Sequence, residues 1–271
     1  MSDFHTLPNH GLGWLDASGD RAGVVLSTRI RLARNLQGHA FGPRARVNDR
    51  EAVLEQTRKA MEKVELLSGS TLLELPDLDH RSRGMLYERR LASRELLGDV
   101  KTGPARATAV LLAAQDPLSV MVNEEDHFRL QGLVSGLRLK EAWNLVDRLD
   151  EELGQELPFA YHHEFGFLTS CPTNVGSGLR ASVLVHLPGL VLTKEIGKVL
   201  QGLGQVGLTF RGLYGEGSEV VGNFFQLSNQ TTLGKSEEEL IEHLDKIVRQ
   251  VIQYEDQARQ VLLRDAPQVT D

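Results

Sequence analysis

Residues 166–188, GFLTSCPTNVGSGLRASVLVHLP, decide how the rest of the chain is read. Pro172, Gly176 and Gly178 exclude a helix through the first half, whereas the aliphatic and β-branched run from Ala181 to Leu187 suits a strand. The segment therefore reads as a glycine-rich turn that delivers Arg180 into a strand, with the chain's only cysteine, Cys171, at the start of the turn. Backbone N–H groups freed by glycine can face an anion, and a guanidinium offers a bidentate fork to phosphate oxygens. A small-anion site is one reading. A buried thiol in an ordinary loop is the other, because free cysteine is among the most buried residue types.

Working outward, Val24–Leu26 open a strand that continues into Ser27-Thr28-Arg29-Ile30-Arg31-Leu32-Ala33-Arg34-Asn35. Side chains alternate along a strand, so Arg29 and Arg31 share one face and repel each other unless an anion lies between them. A solvated edge strand is the alternative. Residues 105–113 (ARATAVLLA) and 118–123 (LSVMVN) read as an antiparallel hairpin about Gln115-Asp116-Pro117. The second strand runs into Asn123-Glu124-Glu125-Asp126-His127-Phe128-Arg129, a dense polar group at the kind of strand end where scaffolds place chemistry. Capping acids in a plain turn are the alternative there.

Helices are predicted over 48–67, with Asn48 and Glu51 as a capping box, over 77–91 and 138–157, near 188–203, and after Ser236 and Glu239. Strands are predicted at 72–75, near 205–213 and at 223–229, with a hairpin over 159–169. His162-His163-Glu164 reads as a surface turn, since adjacent histidines on a strand face opposite ways. Residues 211–219, RGLYGEGSE, form a Gly-rich loop carrying two carboxylates. About eight strands with interspersed helices give one α+β domain on a large antiparallel or mixed sheet, residues 23–265, preceded by an arm over 1–22 anchored by Trp14.

The chain of 271 residues carries 30 Lys+Arg against 37 Asp+Glu, a net charge of −7. That balance argues against nucleic-acid and anionic-membrane partners. One cysteine excludes an internal disulfide and a Cys-based zinc site and fits a reducing compartment. With no leader-like N-terminus and no run of 18 apolar residues, a soluble cytoplasmic protein is expected. Two motifs are decoys. Gly202-Leu203-Gly204-Gln205-Val206-Gly207 follows a helix and precedes a strand, the reverse of a dinucleotide fingerprint, and Gly234-Lys235-Ser236 lacks the first glycine of a P-loop because Asn229 stands there.

STRIRLARN, NEEDHFR, SCPTNVGSGLRASV and RGLYGEGSE, in this order, resemble the guanidino-phosphotransferase family, whose members include arginine and creatine kinases. RGLYGEGSE and SNQTTLGKSEE look most like its bacterial protein-arginine kinase branch. The resemblance covers residues 24–260 and implies a large, mostly antiparallel sheet flanked by helices, of the guanidino kinase catalytic-domain type. It further implies use of ATP and Mg²⁺ to phosphorylate a guanidinium nitrogen. By resemblance, Arg29, Arg31, Arg129 and Arg180 clamp the ATP phosphates with Arg211 nearby; Ser27, Thr28 and Ile30 lie along the nucleotide-binding strand, and Ser182 and Val183 beside the nucleotide. Glu125 and Glu219 match the carboxylates that hold the acceptor, with Glu125 as base, and Cys171 matches a reactive cysteine whose role is electrostatic.

The sequence departs from the metabolite kinases at Tyr214, where they have a second arginine, at Gln226, where they have aspartate, and at Arg90, where members commonly have a histidine on the nucleotide. Neither the helical domain that precedes the metabolite-kinase motifs nor the C-terminal phosphoarginine-binding domain of the bacterial branch is expected. The expected partners are proteins presenting arginine, with an activator protein and a homodimer as further expectations, and the expected setting is protein quality control. A kinase for a small guanidino metabolite and a catalytically silent nucleotide- or phosphoarginine-binding regulator are the other two readings.

Overall fold

In the computed structural model, which describes residues 12–99, 101–114, 117–212 and 221–265, the chain is built about one long central strand. In chain order the elements are β1 (Val25–Arg34), α1 (Val47–Met61), β2 (Thr71–Glu74), α2 (His80–Glu88), α3 (Arg94–Leu97), β3 (Ala109–Leu112), β4 (Leu118–Val122) and β5 (Phe128–Ser135). There follow α4 (Leu139–Glu156), β6 (Tyr161–His162), β7 (Gly166–Phe167), β8 (Leu179–His186), α5 (Pro188–Leu192), α6 (Ile196–Gln205), β9 (Leu208–Arg211), β10 (Phe224–Asn229) and α7 (Glu237–Asp265). Eight strands make one sheet in the order β2-β3-β4-β5-β1-β8-β10-β9, and every neighbouring pair in it is antiparallel. β6 and β7 form a separate hairpin.

β1 is therefore interior, not the solvated edge that its charges also allowed. One face of the sheet carries the main core: Ile30 and Leu32 of β1, Leu130 of β5 and Ala181, Val183 and Val185 of β8 are buried together with the apolar stripes of α4 and α7. Gly132 permits this contact, since a Cβ there would lie 2.7 Å from Val146 Cγ2. Among the described residues, two smaller apolar clusters lie on the opposite face. Toward β3 and β4, Val110, Leu112 and Met121 pack with Leu86, Leu91 and Leu96 from α2, α3 and the turn between them. Over β5 and β8, Trp14 packs on Leu133 and Leu184.

Several boundaries differ from the sequence expectation, each for a local reason. α1 starts one residue early, and its cap is Arg46, whose N–H donates to Asp49 Oδ2 at 3.0 Å, not Asn48 with Glu51. α2 begins after Asp79, whose carboxylate accepts from Ser82 N at 2.7 Å, and it ends at Glu88, leaving Arg90 in the left-handed region at φ +62. The helix expected near 188–203 is two helices, α5 and α6, separated by a turn with Lys194 at φ +63. The Ser236–Glu239 capping box is present in both directions, at 2.8 and 3.2 Å. Gln115 and Asp116 of the predicted hairpin turn lie outside the described residues.

Candidate active site

Directly paired residues on neighbouring strands share a face, so the registers define a polar floor. Arg29 of β1 faces Ser182 of β8, Arg31 faces Arg180 of β8 and Gln131 of β5, and Ala33 faces Arg129 of β5. Ser27, Gln226 and Arg211 continue the floor, Gln226 opposing Arg211 across β10 and β9. Arg29, Arg31, Arg129 and Arg180 are thus brought onto one face of three adjacent strands. Like charges directly opposed across a ladder are destabilising, and Arg31 against Arg180 is such a pair.

The electrostatics follow. Burial holds the Arg29 guanidinium well below its ordinary range, with the positive charges of Arg31, Arg90, Arg129 and Arg180 adding to the effect. Burial, then Arg129 and Arg180, push Arg31 down to about 9. Arginine keeps its proton in proteins, so these shifts measure how strongly the face disfavours its own cations. The buried Nε atoms of Arg29 and Arg31 have no hydrogen-bond partner among the described residues. A polyanion such as a triphosphate fits this donor set, supplying both the missing charge and the missing acceptors.

The polar loop between β4 and β5 supplies the carboxylates. Glu124 is buried, accepts from Arg129 Nη1 at 2.6 Å and also from the hydroxyl of Ser93. Glu125 is half-exposed, 3.5 Å from Arg129 Nη2, and burial together with Asp126 and Glu124 raises its pKa against the opposing pull of Arg129. Cys171 is also half-exposed, its Sγ 2.9 Å from Thr173 Oγ1, so the buried-thiol alternative does not hold. Ser170, the preceding residue, donates from its hydroxyl to the Glu125 carbonyl at 2.7 Å. The acid loop and the cysteine loop are therefore neighbours.

Their contact is organised by residues that the sequence reading placed in these segments without a role of their own. Asn35, just past the end of β1, donates from Nδ2 to Asp126 Oδ1 at 2.6 Å and to Leu168 O at 3.0 Å, and its Oδ1 accepts from His127 N at 2.8 Å. Asp126 Oδ1 also accepts from Ser170 N at 2.7 Å. The buried His127 ring accepts from Leu36 N through Nδ1, which leaves Nε2 to donate to Ala40 O at 3.1 Å. Behind them the buried Arg34 pairs with Asp150 at 2.7 Å, donates to Ser177 O at 2.9 Å and lies 3.5 Å over the Phe167 ring. The sequence signal was adjacency: Arg34-Asn35 closes the arginine strand, and Asp126-His127 follows Glu125.

At the other end of the floor Gln226 Oε1 accepts from Arg29 Nη2 at 3.1 Å and from Arg90 Nη2 at 2.5 Å. Arg90 also donates to Ser27 Oγ at 3.1 Å and lies 5.4 Å over the Trp14 ring. An amide oxygen here accepts from two cations without a charge of its own.

Three predicted residues do not turn toward this face. Ile30 and Val183 are fully buried on the helix side, as alternation from Arg29 and Ser182 requires, and Thr28 donates to Gly136 O at 2.6 Å while accepting from Arg138 N at 3.1 Å. They offer the floor only backbone. Ser27 and Ser182 do share the face with the arginines, and Arg211 lies two strands beyond Arg180. Glu219, Glu216 and Tyr214 lie outside the described residues.

The sequence matches the family described as ATP:guanido phosphotransferase, C-terminal catalytic domain, over residues 52–258. Among curated relatives, the protein-arginine kinase of Pelotomaculum thermopropionicum is 44% identical over 269 residues, 98% of this chain and 74% of that protein. The protein-arginine kinase of Symbiobacterium thermophilum is 46% identical over 252 residues, covering 92% and 70%. Among solved structures, lombricine kinase superposes with a TM-score of 0.76 at 25% identity, covering 92% of this chain and 71% of that one. The duplicated taurocyamine kinase of Schistosoma mansoni gives 0.75 at 26%, covering 93% and 35%. With its antiparallel sheet and its arginine floor, this chain belongs to the ATP:guanido phosphotransferase family.

Proposed function

We propose that the chain is an ATP-dependent protein-arginine kinase, with residues 23–265 as its catalytic domain. The observation that carries the reading is the half-buried face of like-charged guanidinium groups beside a loop of carboxylates. Arg29, Arg31, Arg129 and Arg180 hold the triphosphate, with Arg211 alongside, and stabilise the charge that spreads over the transferred group. Phosphoryl transfer asks little covalent chemistry of a protein, and fixed forks on a rigid sheet supply position and charge together.

The acceptor guanidinium must lose a proton to become a nucleophile. Glu125, with its raised pKa, accepts that proton; the guanidine nitrogen then bonds to the γ-phosphorus as the bond to the β–γ bridging oxygen breaks and ADP leaves. Glu219 holds the other end of the acceptor in this reading, and Cys171 lies beside it in an electrostatic role. Mg²⁺, when bound with the nucleotide, would supply further neutralisation of phosphate charge beside that of the arginines. No group of three or more His, Cys, Asp or Glu among the described residues is arranged to cage a metal. The same reading places the enzyme in the cytoplasm, where its single free cysteine suits a reducing compartment, and in protein quality control.

The test is incubation with MgATP and an arginine-rich unstructured protein, followed by mass spectrometry under conditions that preserve acid-labile phosphate. Phosphoryl groups localised to arginine are expected. Phosphorylation of a free guanidino compound with none on protein would replace this reading by a metabolite kinase. ATP binding with turnover of neither substrate would replace it by a silent regulator.

A further inference from the structure

Beside the acceptor loops stands a feature that the transfer chemistry does not use. Residues 159–167, FAYHHEFGF, place four aromatic residues in nine positions, in a chain where Phe, Tyr and Trp make up 6%. The rings form a file from the core outward: Phe128 to Phe159 at 6.3 Å between centroids, Phe159 to Phe167 at 6.4 Å, Phe167 to Tyr161 at 5.2 Å. At the outer end Tyr161 is 61% exposed and Phe165 46% exposed. His162 stacks on Phe165 at 4.8 Å and lies 4.6 Å from the His163 ring.

The hairpin is held firmly. Arg34 lies over Phe167, Phe167 N donates to Gly176 O at 2.8 Å, and Leu168 N donates to Ala160 O at 2.9 Å. Rings already fixed lose little entropy when they meet a partner, and exposed aromatic side chains with polar edges are the residue types enriched at contact surfaces. The hairpin is also continuous with the acceptor site. From Phe167 the chain reaches Cys171 in four residues, at most about 14 Å of extended backbone. Ser170, on the way, touches the Glu125 carbonyl. A short extended peptide spans that distance, whereas a free guanidino compound does not. Glu164, exposed at the tip, favours a segment that carries positive charge.

We propose that the β6–β7 hairpin is the docking ridge for the polypeptide that carries the acceptor arginine: an extended segment laid against Tyr161, His162 and Phe165 while its arginine enters between Glu125 and Cys171. The proposal rests on the protein-arginine kinase reading for its choice of ligand.

The test uses the full chain and the Tyr161→Ala/Phe165→Ala double variant, with two substrates: a fluorescein-labelled unstructured peptide of about a dozen residues with one central arginine, long enough to span the ridge, and N-acetyl-arginine amide. Binding of the peptide is read by anisotropy, and phosphorylation of both substrates is read in parallel. The expected result is a rise of about tenfold in the peptide's Kd and KM, the scale of losing two aromatic contacts. Its kcat, the turnover of the amide and the Kd for ATP stay unchanged. An unchanged peptide Kd overturns the proposal, and so does an equal loss with the amide. Because anisotropy reads docking without turnover, a wild-type chain that binds the peptide through the ridge but phosphorylates nothing would overturn the proposed function and leave the docking ridge standing.

Discussion

At the scale of single residues, the arginine face and Glu125 make opposite demands on stability and activity. Replacing Arg31 by Met removes a half-buried cation from a cluster of like charge. The free protein is expected to gain about 1 kcal/mol, a rise of about 2–4 °C in Tm. The variant is also expected to lose the further stabilisation that MgATP gives the wild-type chain. Paired thermal melts with and without nucleotide check both; a destabilised free protein would mean that the cluster is neutralised within the chain. Glu125→Gln keeps the shape of the side chain and removes the proposed base. Turnover is expected to fall by about 10²–10⁴-fold with ATP binding intact. The pH profile gives the sign: burial raises the Glu125 pKa above 4.5, so the competent carboxylate is lost as pH falls through that raised value. The acid limb of wild-type activity should lie above the ordinary carboxylate range and disappear in the variant.

At the scale of elements, the end of β1, the acid loop and the cysteine loop act as one unit because Asn35 and Asp126 join them. Asn35→Ala leaves the His127 N–H without its partner and the Asp126 carboxylate with only the bond from Ser170 N, at a cost of about 1–3 kcal/mol. The expected kinetic signature is a lower kcat with an unchanged Kd for ATP, since the Asn35 side chain bonds to Asp126, Leu168 and His127 and to none of the arginines of the floor. Isothermal titration beside steady-state kinetics separates the two, and a weakened ATP affinity would count against the division. Asp150→Ala, which strips the counter-ion from the buried Arg34, is expected to cost more, about 3–5 kcal/mol, read by urea unfolding.

At the scale of the whole molecule, His127 ties stability to pH. Burial is the main cause of its lowered pKa, and protonating Nδ1 would break the bond from Leu36 N. Below 6.5 the unfolded chain therefore binds more protons than the folded one, so stability falls as pH drops from 6.5 toward the lowered folded value. His127→Gln should flatten that part of a Tm-against-pH curve. His186 is shifted the same way by burial and by Arg259, so a residual slope is expected to remain.

The sequence by itself determined the elements and most of the chemistry. Alternation in STRIRLARN put Arg29 and Arg31 on one face, proline and glycine punctuated the turn before Arg180, and the apolar stripes of α4 and α7 followed from period alone. These are local properties, set by side-chain direction along a single segment. Which strand lay in the middle was not local: β1 became interior only by pairing with β5 and β8, and that pairing turned two edge charges into a half-buried cluster with Arg129 and Arg180. The same alternation, once one face was assigned to the helices, removed the side chains of Thr28, Ile30 and Val183 from the site. Asn35 and Asp126 lie 91 positions apart, and Gln226 meets Arg29 and Arg90 across separations of 197 and 136. No periodicity reports such contacts. They exist because burial of the sheet's two faces brought those backbones together, and their polar groups then had to satisfy one another away from water.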